Sequence, residues 1–153
     1  YGEIDKGQYN QFRQTPYAHG AAMVVSRKVI EKVGKMPEQF FLYYEELDWC
    51  EQIRKAGFAI YFVPNVTVYH KESASVGKQT AMKAYYLTRN RILFMLRNAS
   101  RFQLFVFLLF FLFIAVPKNI FYYLMQKQVQ HLQAFIAGVY WHFKIEKPLK
   151  YEH

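Results

Sequence analysis

A chain of 153 residues is long enough for one domain with a modest hydrophobic core. With 53% apolar and 20% aromatic side chains, the composition excludes a disordered or low-complexity segment. The single cysteine, Cys50, excludes an intramolecular disulfide framework and points to a reducing compartment. It falls within a helical pattern and reads as a small buried hydrophobe. The formal net charge of +9 is unevenly placed. Residues 1–78 hold ten Lys/Arg against nine Asp/Glu, whereas residues 79–153 hold ten against two. The basic half is also the richest in Phe, Leu and Tyr, which suits an anionic lipid surface. No nucleic-acid partner is expected, because the apolar runs are too long for a soluble binding face.

The start, Tyr1-Gly2-Glu3-Ile4-Asp5, is polar, has no signal-peptide core and lacks an initiator Met, so a piece of a longer protein is expected. Residues 1–17 show no sustained period and read as a loop. Residues 19–25, small and apolar, predict a buried strand entered through Gly20. Ser26 caps a short helix over 27–33 that Gly34 stops. After the aromatic cluster Phe40, Phe41, Tyr43 and Tyr44, residues 45–56 form an amphipathic helix with Trp49, Cys50, Ile53 and Ala56 on one face. Gly57 ends it, with Arg54 and Lys55 in the last turn as the helix dipole favours. Strands are predicted over 58–63 and 66–70. A helix covers 79–98, an apolar run covers 102–116, Pro117-Lys118-Asn119 interrupts it, and helix resumes to about residue 143. Two domains follow, 1–78 and 79–153.

Glu45, Glu46 and Asp48 put three carboxylates in the first turn of a helix. There they cap the helix, each contributing roughly 0.3–1 kcal/mol through the dipole, or supply a general base held ionised and in a fixed direction. His70 ends a predicted strand, where a neutral imidazole is either an ordinary side chain or a metal donor. Gly20, Ala21 and Ala22 either pack a strand tightly or leave room for a ligand against the backbone.

The order and spacing of these features are more specific than any one of them. His19-Gly20-Ala21-Ala22-Met23-Val24-Val25-Ser26-Arg27 is followed by Val33-Gly34-Lys35-Met36-Pro37-Glu38. Then come Phe40-Phe41-Leu42-Tyr43-Tyr44-Glu45-Glu46-Leu47-Asp48-Trp49, Ala56-Gly57-Phe58, Val63-Pro64 and Val68-Tyr69-His70. Across about residues 15–98 this resembles the family-2 glycosyltransferases of the GT-A fold, in particular the bacterial rhamnosyltransferase-like branch. The resemblance implies an α/β fold: the acceptor-side, C-terminal half of a GT-A (Rossmann-like) domain, followed by a helical membrane-associating tail. It implies an inverting transfer from a nucleotide-sugar donor to a saccharide or lipid-linked acceptor, with Glu46 as base and Glu45 and Asp48 beside it. It also implies substrate binding by Gly20, Ala21, Ala22, Tyr44 and Trp49, and a divalent metal (Mg or Mn) in the complete enzyme, near His70. Arg89-Asn90 matches the helix that follows the family's catalytic core. Two positions depart from the pattern: Glu46 stands where Asp is commoner, and Gln52 where Arg is common. The upstream donor-binding half, with its Asp-x-Asp motif, is not in this sequence, and neither is a Gly-rich phosphate loop. The alternative is a non-catalytic membrane-associated scaffold or partner subunit.

Residues 102–116 extend about 22 Å as helix, short of a hydrocarbon core of roughly 30 Å. Three readings stay open: an interfacial or re-entrant hairpin hinged at Pro117, a true span, and a helix buried against another domain or subunit. The expected location is the cytoplasmic face of the inner membrane, peripheral or monotopic.

Overall fold

The computed structural model describes residue 4, residues 6–69 and residues 80–144. Helix predominates, and the only sheet among the described residues is two short antiparallel strands. Chain contacts divide the molecule into two units: Tyr1–Phe41 with Glu45–Glu72, and Leu42–Tyr44 with Ser73–His153.

In the first unit, β1 (Arg13–Thr15) pairs with β2 (Ile60–Phe62), aligning Arg13 with Phe62 and Thr15 with Ile60. Phe12 stacks on Tyr61 with centroids 4.9 Å apart, and the Arg13 guanidinium lies over the Tyr9 and Phe62 rings. α1 (Arg27–Val33) starts at Ser26, whose side chain accepts from the Val29 amide, and stops at Gly34 with φ of 87°. α2 (Glu45–Lys55) ends as expected at Gly57, also at φ of 87°, a conformation that costs glycine little. Val29, Trp49 and Ile53 form the core, with Met23, Val25, Val33, Met36, Phe58 and Ile60 packed around them.

Here the structure departs from the α/β expectation. Residues 19–25 are a turn followed by extended chain, not a buried strand, and residues 66–69 form no ladder. A strand needs a partner for its backbone donors and acceptors, and neither segment has one among the described residues. The alternation survives without the ladder: Met23 and Val25 face the core while Val24 is fully exposed. Residues 13–15, expected as loop, supply the partner for β2 instead.

The second unit is helical. α3 (Ala81–Asn98) is capped by Thr80. α4 (Arg101–Phe110) opens with a reciprocal capping box between Ser100 and Gln103. It continues through a π-helical turn, Phe111–Ala115, into α5 (Val116–Met125), and α6 (Val129–Tyr140) ends in a 3₁₀ turn, Trp141–Phe143. Ile92, Phe111 and Ala115 are its buried apolar centre.

Pro117 does not hinge this unit. Proline lacks the amide a helix needs and crowds the carbonyl four residues back. The wider π turn just before it absorbs the misfit, with the Val116 amide bonding the Phe111 carbonyl five residues back. Asn119 donates its side-chain amide to the Ala115 carbonyl at 2.7 Å, which keeps that polar group bonded. The helix is therefore continuous for 25 residues, Arg101–Met125. The chain reverses at residues 126–128, where Lys127 has φ of 55°.

α6 approaches α3 through Gly138. A β-carbon there would lie 2.8 Å from the Tyr85 carbonyl oxygen and 3.1 Å from Thr88 Cβ. Alanine favours helix over glycine by about 1 kcal/mol, but the clash is with backbone and forces the helices apart. Overpacking of this kind costs about 1–3 kcal/mol, so Gly138→Ala is expected to be destabilising. Thermal denaturation followed by circular dichroism should show a melting point lower by a few degrees, at about 2–4 °C per kcal/mol.

Candidate active site

α2 places Glu46 in its first turn, one helical turn ahead of Cys50, so both side chains lie on one face. That face meets the segment of residues 17–20. The Tyr17 hydroxyl donates to Glu46 Oε1 at 3.0 Å. The Ala18 amide donates to Cys50 Sγ at 3.5 Å, and the thiol points back to the Ala18 carbonyl at 3.8 Å. Cys50 is 2% exposed, and burial pushes its thiol up, so it is a packing residue as the sequence suggested.

Gly20 lies directly against the Glu46 side chain. A β-carbon built on it would sit 3.8 Å from both Glu46 Cβ and Cδ. The Gly20 backbone is thus a close neighbour of Glu46, whose side chain is half-buried. The turn is closed by the Ala22 amide bonding the His19 carbonyl at 3.2 Å, while His19 Nδ1 accepts from the Ala21 amide at 3.1 Å. Gly20, Ala21 and Ala22 are exposed.

The neighbouring carboxylate differs. Glu45 Oε2 is buried and has no hydrogen-bond partner among the described residues. Burial raises the Glu45 carboxyl above the usual range; a backbone hydrogen bond opposes the shift and the Glu46 charge adds to it. Tyr17 is likewise pushed up, by burial first and then by the Glu46 charge and the hydrogen bond to it, so its hydroxyl stays a donor.

Of the expected residues, the structure brings Glu46, Glu45 and Gly20 together. Asp48 is wholly buried. Trp49 faces the core, and its indole Nε1 donates to the Gly34 carbonyl at 3.0 Å. Tyr44 belongs to the second unit, where its hydroxyl accepts from Arg91 Nε at 3.3 Å and its ring leans on Phe94. His70 lies outside the described residues. Among the described residues no three His, Cys, Asp or Glu side chains cluster as metal ligands. Tyr17 was not legible as a site residue; its one signal is a polar aromatic just ahead of the His19-Gly20 turn.

No family model and no solved structure matches this chain. Its sequence is similar to glycosyltransferases. It is 30% identical over 88 residues to a low-salt glycan biosynthesis hexosyltransferase of Haloferax volcanii, a match covering 57% of this chain and 29% of that protein. It is 30% identical over 69 residues to an N-acetylglucosaminyl-diphospho-decaprenol L-rhamnosyltransferase of Mycobacterium tuberculosis, covering 45% and 22%. It is 26% identical over 97 residues to a dTDP-rhamnosyl transferase of Shigella flexneri, covering 56% and 33%. The chain spans a third or less of the length of these curated relatives.

The raised Glu45 carboxyl has a consequence for stability. A carboxyl whose folded pKa exceeds its unfolded one favours the fold while protonated. That contribution is present below the ordinary carboxylate range and is lost as pH rises through the raised value. Glu45→Gln removes the ionisation, so urea melts from pH 4 to 7 should show a flatter pH dependence than wild type. The variant's relative stability should be greatest at the neutral end.

Proposed function

We propose that this chain is the acceptor-side part of an inverting glycosyltransferase that uses a nucleotide sugar, with Glu46 as general base. The observation that carries this reading is the half-buried Glu46 carboxylate, oriented by the Tyr17 hydroxyl and seated against Gly20. An acceptor hydroxyl over Gly20 gives its proton to Glu46 as its oxygen forms a bond to the anomeric carbon. The bond from that carbon to the phosphate oxygen breaks, and its electron pair leaves with the nucleoside diphosphate. Attack opposite the leaving group inverts the anomeric centre. The similarity to rhamnosyl- and hexosyltransferases supports sugar transfer, and the GT-A fold and the donor-binding half remain part of this proposal. A divalent metal belongs to the complete enzyme in the same reading, with His70 as the candidate donor.

The second unit associates with the membrane in this reading. The helix Arg101–Met125 measures about 37 Å at 1.5 Å per residue, enough for a hydrocarbon core of roughly 30 Å. Its large apolar side chains face outward: Phe102 is 75% exposed, Phe113 73% and Phe121 67%. Crossing is disfavoured by what travels with it. α6 runs back from the tip and packs along α3, which carries the exposed Arg91 and also Lys83 and Arg97. Each such charge costs about 2.5–3.5 kcal/mol at the bilayer centre. A monotopic seat at the cytoplasmic face of the inner membrane avoids that cost and lets basic side chains meet lipid phosphates. One relative's named acceptor is a diphospho-decaprenol saccharide, and an acceptor of that lipid-linked kind fits this seat.

Two outcomes test the proposal. Replacing Glu46 by Gln in the protein that carries this chain should lower sugar transfer roughly 10²–10⁴-fold, the usual contribution of a positioned base, with circular dichroism unchanged. Unchanged transfer would instead support a non-catalytic membrane-associated scaffold. Replacing Phe102, Phe113 and Phe121 together by Asp should abolish co-sedimentation with anionic liposomes, whereas retained co-sedimentation would sink the membrane seat.

A further inference from the structure

We propose that Asn90 is a positioning residue for the acidic pair, acting through the aromatic segment that leads into α2; the inference rests on the reading of Glu46 as base. Asn90 is completely buried. Its Nδ2 donates to two consecutive carbonyls, Leu42 at 2.7 Å and Tyr43 at 2.8 Å. Its Oδ1 accepts from Arg89 Nε at 2.8 Å. The partners fix the orientation of the amide, since two carbonyls only accept and a guanidinium only donates. No other side chain of that size offers two donors on one end and an acceptor on the other.

The segment it grips carries unfavoured backbone conformations. Phe41, Tyr43 and Tyr44 have φ of 61°, 66° and 73°, values that side-chain-bearing residues adopt only where surrounding structure enforces them. Lys83 lies over the Tyr43 ring at 5.7 Å, and Arg91 reaches the Tyr44 hydroxyl, so α3 engages the segment at three points. The clamp is itself braced. The Arg89 guanidinium lies between the Tyr86 ring at 4.9 Å and the Trp141 ring at 4.7 Å, and His142 Nε2 meets the Arg89 carbonyl at 2.9 Å. The link to the acidic pair is the chain itself: Glu45 is the residue after Tyr44. Asn90 touches no reacting atom; it holds the backbone of Leu42 and Tyr43, and Tyr44 runs directly into α2.

The test replaces Asn90 by Leu, similar in size without donors, and by Ser as a smaller second variant should the first fold poorly. It is made in the full protein that carries this chain, with dTDP-rhamnose as probe donor and a diphospho-polyprenol saccharide as probe acceptor. Hydrogen-exchange mass spectrometry should show faster exchange across residues 42–48, with α1 unchanged. The transfer kcat should fall about 10²-fold, as a displacement of about 1 Å near the chemistry can cause, with donor KM unchanged. Adding Tyr43→Asn, a residue that tolerates positive φ, should recover part of kcat, which a residue acting only through general stability would not allow. Unchanged exchange at residues 42–48 would overturn the inference whatever the transfer assay gives, and so would a wild-type kcat in an active enzyme. Transfer by Glu46→Gln equal to wild type would overturn the reading of Glu46 instead.

Discussion

An amide shut away from water must find its partners inside the protein, and Asn90 finds them at both ends at once. The constraint is strict because an unmet buried polar group costs about 1–3 kcal/mol. The same bonds offset a second cost. Non-glycine residues in unfavoured backbone conformations cost about 1–3 kcal/mol each, and Phe41, Tyr43 and Tyr44 are three of them. Charged side chains engaged with rings add to the hold, Lys83 on Tyr43 and Arg89 on Tyr86 and Trp141. Much of what is unusual in the second unit can be traced back from this amide. Arg89 is buried because it serves Asn90, and Trp141 and His142 cover Arg89. Gly138 lets the helix that carries them approach α3 closely enough to do so.

Where signals are local, the sequence announced the structure. Ser26 and Gly34 bracket α1, Gly57 closes α2, and the helix expected from residue 79 begins at Ala81 after its Thr80 cap. Each depends on a few neighbouring residues. Strands depend on distant ones, which is where reading failed. Residues 19–25 have the alternation of a strand and no ladder, whereas 13–15 have no such pattern and pair with β2. Pro117 misled for a different reason. Its missing amide is a real local cost, but a π turn placed just upstream carries it without bending the chain back.

The candidate site was legible in part for the same reason. Glu46 and Gly20 were named from the resemblance to family-2 glycosyltransferases, and they do lie against each other. Tyr17 was not, because nothing in a loop of Gln, Asn and Tyr says which hydroxyl will meet a carboxylate 29 residues away. Trp49 carried two meanings in sequence, a substrate-binding residue or a core side chain. The indole bond to the Gly34 carbonyl and the packing against Val29 and Ile53 resolve it as core. Asn90 stood out only as half of an Arg-Asn pair, since an amide gives no hint in sequence of which backbone it will hold.

Two adjacent carboxylates at a helix start look interchangeable on paper, and their surroundings separate them. Glu45 has a buried oxygen without a partner and a carboxyl driven upward by burial, so it favours keeping a proton. Glu46 accepts a hydrogen bond from the Tyr17 hydroxyl, and its side chain lies against Gly20. Removing charge from Glu45 also lessens the repulsion that two ionised neighbours would impose on each other. A base must keep its lone pair directed at incoming substrate, and in the proposed reading the Tyr17 hydrogen bond gives Glu46 that orientation.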